Sequence, residues 1–540
     1  MSKASVTEQA PPSGLYAYKK VRDFYTDREF ATPVSQIQDR YVKDKVSFVE
    51  QRFDANSAIS GMFGSSETTI IQKLNYSVCQ QLEKLMIRLN VTVSSSTVEL
   101  APVPYWFKRI EIFNASGNKM QVIHPEETVF KLNQISKEYA RNALKEICHF
   151  GESGVSWRSP SAVNQMMSGE TRDFFLPIMS VVDQAGLNFK YLKDWVEFRF
   201  VTRGDIRESG SGTVSVNYIN FVIQDRNLDE DTKKYYEAYV DTSLKRHYYL
   251  DCTRFSHVTN TALTSGSDYI VNLSAIPQCF SPFILVSMRQ SSTVDDAVTA
   301  GAMQAYIPVG PGGKIMLKDG SNNIMEVSGN VNVDLLYRTL SQQYTEGDLL
   351  RIMPLYLMSF ANSVENPMAG RWMNGYYAFN GTSNQSLVIN AVSGTSAVQT
   401  ITSAATASLN GGNYRLSYLG HITGNLAYNE TAANIKAALE GLPSFKAENL
   451  TVTVTQPFST AGTLVLTFAA RCGNPKALVQ CIPDSVNSTG VFANPVTSLT
   501  TRGIAGIVNS QTHVIDIFVF YYKELYSIKG ILGDNKIYNV

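Results

Sequence analysis

Along most of this chain apolar residues recur at every second position, the period of a half-buried β-strand. Leu85, Ile87, Leu89, Val91 and Val93 alternate with Arg88, Asn90, Thr92 and Ser94. The same period returns around Ile110 and Ile112 and in Trp195 to Val201, where Val196, Phe198 and Phe200 oppose Glu197 and Arg199. It returns again in Val214 to Ile223. One longer helical pattern interrupts it at Glu126 to His149, with Val129, Leu132, Ile135 and Tyr139 at three- and four-residue spacing, Pro125 before it and Gly151 after it. A second β-rich stretch starts near Tyr248 and predicts strands at Ser281 to Met288, Gly329 to Leu336, Leu350 to Ala361 and finally Val514 to Tyr522. Short strands separated by Gly, Pro, Asn and Ser turns predict two successive antiparallel sandwiches rather than βαβ units.

Two regions depart from this rhythm. Residues 1 to about 45 form a polar arm mixing Lys19, Lys20, Arg22, Arg28 and Arg40 with Asp23, Asp27, Glu29 and Asp39, with little to bury; ordering by partners alone is expected. From Ala391 to about Val508 the composition shifts to Ser, Thr, Ala, Gly and Asn. Within that segment the order strand, strand, helix (Thr431 to Leu442), strand, strand is expected, with Leu416, Leu439, Leu442, Val452, Leu466 and Phe468 as a small core of its own. The expected division is therefore an arm at 1–45, a first sandwich at 46–246, a second at 247–390 and 509–540, and an inserted β-rich domain at 391–508.

Length and composition narrow the function. A chain of 540 residues exceeds what one core usually serves. It is 44% hydrophobic but only 17% charged, with 28 Tyr and 26 Phe, a surface suited to burial between chains because interface cores lose charge and gain aromatics. Lys+Arg and Asp+Glu are each 47, so no net field draws in a polyanion, and sequence-specific nucleic-acid binding is not expected. The first twenty residues lack the basic head and apolar run of a signal peptide, and HVIDIFVFYY is too short to span a bilayer. Cys79, Cys148, Cys252, Cys279, Cys472 and Cys481 show no CxxC spacing and read as reduced thiols.

Candidate chemistry is sparse. Val309 to Lys314, VGPGGK, lacks the upstream Gly spacing and following Ser or Thr of a phosphate-cradling loop, so a tight turn is expected. His247, Asp251, Cys252 and His257 are metal-ligand types on one short stretch, but their spacing matches no common zinc pattern. Gly151-Glu152-Ser153-Gly154 falls short of a nucleophile elbow. Cys472 and Cys481 are near enough in sequence to bridge, although assembly in a reducing cell favours free thiols. The sequons at Asn384 and Asn429 are expected bare. No catalytic, cofactor-binding or metal-binding residue is assigned, and no enzymatic activity or cofactor is expected.

A family resemblance supplies what the patterns leave open. Leu350 to Asn390 holds an apolar strand ending in Ser359-Phe360, a Pro367-Met368-Ala369-Gly370 turn, Asn374 and a further strand. With the aromatic C-terminal HVIDIFVFYYKELYSIKGILGDNKIYNV, it resembles the second jelly roll of double jelly-roll major capsid proteins of the adenovirus, tectivirus, virophage and polinton-like virus lineage. Met368-Ala369 replaces the family's small polar residue. PYWFKRIEIFNASG at Pro104 to Gly117 and the run from Phe174 to Phe200 resemble the first roll; the likeness covers about residues 50–390 and 510–540. The inserted segment, with AALEGLP at Ala437 to Pro443, resembles a small module of phage and bacterial surface proteins. The resemblance implies two tandem eight-stranded jelly rolls, and a major capsid protein whose homotrimers form pseudo-hexameric capsomers tiling an icosahedral shell. It implies a virion location and, as partners, neighbouring capsomers, penton and minor capsid proteins and, through the arm, an internal membrane surface. A virion spike or adhesin that binds a receptor or glycan through the inserted domain is the alternative.

Overall fold

The computed structural model describes residues 45–53, 59, 61–63, 67–75, 77–133, 148, 165–184, 189, 195–227, 245–290, 306–330, 354–361, 375–382, 384–403, 411–448, 450–458, 462–484, 495–507, 511–528 and 531–536. The first sandwich has eight principal strands: β1 (Lys45–Arg52), β2 (Thr69–Leu74), β3 (Leu82–Ser94), β4 (Phe107–Asn114), β5 (Lys119–Ile123), β6 (Thr171–Pro177), β7 (Val196–Thr202) and β8 (Thr213–Asn227). They form two antiparallel sheets of order β1-β8-β3-β6 and β2-β7-β4-β5. The second sandwich repeats this with β9 (Lys245–Val258), β10 (Asp268–Asn272), β11 (Phe283–Gln290), β12 (Lys314–Asp319), β13 (Asn322–Ser328), β14 (Tyr356–Ser359), β15 (Gln385–Asn390) and β16 (His513–Ile528). Its sheets run β9-β16-β11-β14 and β10-β15-β12-β13, the same order with eight added to every number. Both are the two-sheet, eight-stranded jelly-roll order.

The alternation that predicted β3 is realised residue for residue: Leu85, Ile87, Leu89, Val91 and Val93 are buried and the residues between them are not. They meet Val196, Phe198 and Phe200 of β7 across one core that also holds Phe53 and Phe221. Phe198 and Phe221 sit edge to face at 5.3 Å, a favoured aromatic geometry. In β8 the simple period fails once. The register slips between Val216 and Tyr218, so burial moves from Val214 and Val216 to Ile219, Phe221 and Ile223. That bulge leaves Asn217 outside, where its Nδ2 donates to Asn90 Oδ1 at 2.7 Å and Thr92 Oγ1 at 2.8 Å.

Strand direction alternates, so the connections β1–β2, β3–β4, β5–β6 and β7–β8 share one end of the first sandwich, here called the upper end. There the short strands Val98–Leu100, Gln165–Met166 and Arg207–Gly210 from three of these connections pair into a small sheet. In the second sandwich the corresponding connections also meet. Gly266 N donates to Ala391 O at 2.8 Å, Ser393 N to Ser265 Oγ at 3.0 Å, and Val392 N to Val309 O at 2.8 Å. At the lower end Cys279–Ser281 pairs with Tyr377–Phe379. By the same alternation β1 begins at the lower end, opposite the upper connections.

Between β15 and β16 the chain builds a separate core containing all six residues expected for it, together with Tyr414, Tyr418, Phe445 and Phe458. Its helix α2 (Ala432–Glu440) starts where Thr431 Oγ1 accepts from Asn434 N, and it buries Ile435 and Leu439 against the sheet. Two strands not foreseen, Val398–Thr402 and Val496–Thr501, pair with each other next to Thr463–Phe468. The two chain segments entering this unit run side by side, bridged at Ser393 with Ile507 and Thr395 with Ile504. They are so close that a Cβ on Gly506 would lie 2.3 Å from Val392 O.

Several expectations are revised. The helix at Glu126 to His149 is described as α1 (Pro125–Asn133), with 134–147 outside the described residues. Of the strand expected at Leu350 to Ala361, β14 is the part found among the described residues, with 350–353 outside them, and that at Ser281 to Met288 is shifted to β11. Gly329 and Asn330 are not in a strand, and the rest of the strand expected there lies outside the described residues. Val514 to Tyr522 is only the middle of β16, and Ile531–Lys536 follows as a further strand hairpinned onto it.

Candidate functional site

The most unusual surface of the molecule is internal. In β16 every residue from His513 to Lys523 is buried, so both faces of this strand are covered rather than one. Ile515, Ile517 and Val519 point into the second sandwich's own core. Phe518 and Phe520, on the opposite face, join Cys252, Phe283, Leu285, Leu357 and Phe130, and Phe130 belongs to α1 of the first sandwich. Phe283 stacks on Phe520 at 4.4 Å, and Phe130 lies 5.6 Å from Phe283. Full burial of each such ring contributes about 1.5–3 kcal/mol, so these aromatics make the seam between the sandwiches a continuation of the core. Continuous apolar runs are the sequence mark of strands covered on both faces.

At Asp516 charge enters the seam in paired form. Asp516 is fully buried and accepts from Arg254 Nε at 2.9 Å, Arg289 Nε at 2.6 Å and Ser256 Oγ at 2.5 Å. Burial pushes its carboxyl up, but the two guanidiniums outweigh that and hold its pKa below the usual range. Beside it His124 is buried with its ring 5.9 Å from that of Phe518, and burial lowers its pKa to about 4.

Polar groups also knit β5 of the first sandwich to the edge of β9. Gln121 Nε2 donates to Leu250 O at 3.2 Å, and its Oε1 accepts from Val181 N at 2.7 Å. Tyr249 Oη donates to Met120 O at 2.8 Å, and Val122 N donates to Asp251 Oδ1 at 3.1 Å. Further along, Tyr306 Oη donates to Glu126 Oε1 at 2.8 Å, and Asn114 Nδ2 to Leu532 O at 3.0 Å. Side chains of one sandwich thus satisfy the exposed backbone of the other, a way of covering an edge strand.

The residues singled out in the sequence fall as follows. VGPGGK is a turn in which Gly313 N donates to Gly310 O at 2.9 Å and Gly310 has φ +85°. Lys314 reaches Glu326 at 3.3 Å across the β12–β13 pair. Asp251, Cys252 and His257 do not converge. Asp251 accepts a hydrogen bond from Val122 N of the first sandwich, Cys252 packs among the aromatic residues of the seam, and His257 Nε2 lies 3.0 Å from Tyr269 Oη. The side chain of His247 lies outside the described residues, as do Gly151 to Gly154, Pro367 to Gly370 and Asn374. Cys472 and Cys481 are half-buried in the inserted unit and are not joined in a disulfide. Asn384 and Asn429 are exposed. Among the described residues no helix is long and apolar enough to cross a membrane.

The sequence reading missed Gln121, Tyr249, Arg254, Arg289, Asp516 and Lys523. One signal was available: Asp516 and Lys523 are charges set inside a run that is otherwise apolar, where each needs a partner.

No protein-family model matches the chain, and no curated protein matches it. Solved structures do. VP54 of PBCV-1, fitted into a reconstruction of the virophage Sputnik, is 9% identical with a TM-score of 0.51, the match covering 92% of this chain and 98% of that one. A quasi-atomic model of the PBCV-1 virus capsid is 10% identical with the same TM-score and coverage. The chain has the double jelly-roll fold. The major capsid protein of mavirus is also similar, at 10% identity and a TM-score of 0.40 over 90% of each chain. In this double jelly roll the seam is the element that fixes the two rolls relative to each other, and the inserted unit stands at their shared upper end. Lys446 of the insertion forms an ion pair with Glu99, which lies in the upper-end sheet of the first roll.

Proposed function

We propose that the chain is a major capsid protein whose homotrimers form pseudo-hexameric capsomers tiling the icosahedral shell of a double-stranded DNA virus. The observation that carries this reading is the repeated strand order, two rolls with the same two sheets fused along a dry aromatic seam. A rigid pair of like sandwiches is a third of a six-sided tile, and head-to-tail contacts that close make a ring. The fold shared with VP54 and the PBCV-1 capsid model over nearly the whole chain supports the same conclusion. The role is structural and carries no catalytic step. Light scattering at micromolar concentration tests it: three times the 59.8 kDa chain mass is expected, and a stable monomer overturns the capsomer.

The upper end would face outward and carry the insertion as a projecting decoration, while the lower end, where β1 begins, would send the N-terminal arm inward to minor capsid proteins or an internal membrane. The adjacent entry and exit at Ser393 and Ile507 support a unit that can be removed without parting the strands it joins. Replacing residues 394–506 with a short Gly-Ser linker should preserve trimers, since loop closure depends weakly on length. Loss of trimers in that variant would make the insertion part of the shell.

A further inference from the structure

Lys523 of β16 and Asp251 of β9 meet at the lower part of the seam, with Nζ 3.5 Å from Oδ2 and both side chains almost fully buried. Every atom of the Asp251 carboxyl is directed. Oδ1 accepts from two backbone groups, Val122 N at 3.1 Å and Cys252 N at 2.9 Å, and Oδ2 accepts from Tyr521 Oη at 2.7 Å. Lys523 Nζ is held on its other side by Met120 O at 2.5 Å and lies 5.6 Å from the Tyr249 ring. Glu127 is completely buried and near enough to Asp251 for their charges to repel.

We propose that Lys523 and Asp251 condense into an intramolecular isopeptide bond that joins β9 to β16 covalently. In water an ammonium and a carboxylate do not condense, because each is stabilised by hydration. Burial removes that stabilisation, and one proton passed from ammonium to carboxylate inside the pair supplies the amine and the acid that condense. Desolvation outweighs Lys523 and raises the carboxyl pKa of Asp251, whose charge in turn helps raise that of Glu127. The amine is held against the carboxyl, with Nζ 3.5 Å from Oδ2, and a small closing movement toward Cγ completes the approach that bond formation needs. Val122 N and Cys252 N form a ready pair of donors for the oxygen that becomes negative as the carboxyl carbon turns tetrahedral.

The atoms balance without any co-reactant. The Nζ lone pair forms a bond to Cγ, the Cγ–Oδ2 bond breaks, and Oδ2 leaves as water with the carboxyl proton and one proton from the amine. Counted from the ion pair, ammonium plus carboxylate gives one amide and one water. Tyr521, by donating to Oδ2, assists departure of that oxygen, and Met120 O orients the amine. The product would close a ring whose ends are 272 residues apart in sequence and that holds most of the second roll and the insertion.

The test is the intact mass of the purified, denatured full-length protein, followed by peptide sequencing of a protease digest. The expected result is a mass lower by one water and a branched peptide joining the segments around Asp251 and Lys523. Lys523→Arg and Asp251→Ala should each restore the full sequence mass, and Tyr521→Phe should lower the cross-linked fraction in freshly made protein. The full sequence mass in folded wild-type protein, or a water loss without that branched peptide, overturns the proposal. If the variants fail to fold, the wild-type mass and digest decide alone.

Discussion

The sheets β1-β8-β3-β6 and β9-β16-β11-β14 have the same strand order, yet they treat their outer faces in opposite ways. The first turns a polar network outward. Arg88 bridges Glu50 at 3.0 Å and Asp173 at 2.7 Å, Asn90 Nδ2 donates to Asp173, and Asn220 Nδ2 donates to Glu50. The second turns Phe283, Leu285, Phe518 and Phe520 outward and covers them with α1. The inner faces are both plain hydrophobic cores. Strand order is therefore compatible with either surface, and the outer residues decide whether a sheet meets water or the other roll.

The largest effect expected from this contrast is at Phe520, which is fully buried and stacked on Phe283. Phe520→Asp places an unpaired carboxylate in the aromatic seam, a loss of more than about 4–5 kcal/mol. Soluble expression and cooperative thermal unfolding should both disappear. A folded variant would show that the seam is wetter than its packing implies.

Next is Asp516→Ala. Removing one member of a buried ion cluster takes from Arg254 and Arg289 the carboxylate to which both donate, at a cost of about 3–5 kcal/mol. The denaturant midpoint should fall accordingly. A change below about 1 kcal/mol would mean that the two guanidiniums find other partners, since surface-like pairs contribute that little.

His124 makes the seam acid-sensitive. Its pKa in the folded state, about 4, lies below the ordinary histidine value, so the unfolded chain binds the proton more tightly. Stability from this group is complete above about pH 6.5 and is lost as the pH falls toward 4, by about 3 kcal/mol in all. His124→Phe should flatten that part of the profile measured by thermal unfolding. An unchanged slope would assign the acid response to other groups.

How much of this was legible depends on which face of a strand the sequence describes. Where one face meets water, as in β3 and β7, period two marked the strand and its core-facing side together, because the polar residues mark the outside. Where both faces are buried, as in β16, the same rule read HVIDIFVFYY as an alternating strand of ordinary kind and ended it at Tyr522, six residues early. Nothing local distinguishes a residue covered by its own roll from one covered by the neighbouring roll. The helix cap at Thr431 and the core of the insertion were readable because they depend on residues close in sequence. The seam was not, because it joins Phe130 to Phe520 and Val122 to Asp251 across long separations. Asp251 was noticed as a metal-ligand type, and the structure gives its oxygens to Val122, Cys252 and Tyr521.

The smallest expected effect lies on the polar face and is the sharpest measure of the contrast. Glu50 is 45% exposed at its side chain, and its oxygens receive Arg88 and Asn220. In Glu50→Gln the amide can keep one of these hydrogen bonds, and water replaces the rest, so the loss should be about 0.2–1 kcal/mol and shrink with added salt. A double-mutant cycle between Glu50 and Arg88 should return a coupling in that range, while the cycle between Asp516 and Arg289 should be several times larger because Asp516 is fully buried and Arg289 nearly so. Equal couplings would erase the distinction between the two faces. In that case the outer sheet of the first roll would have to be as dry as the seam, which its half-exposed Arg88, Glu50 and Asp173 do not allow in the single chain.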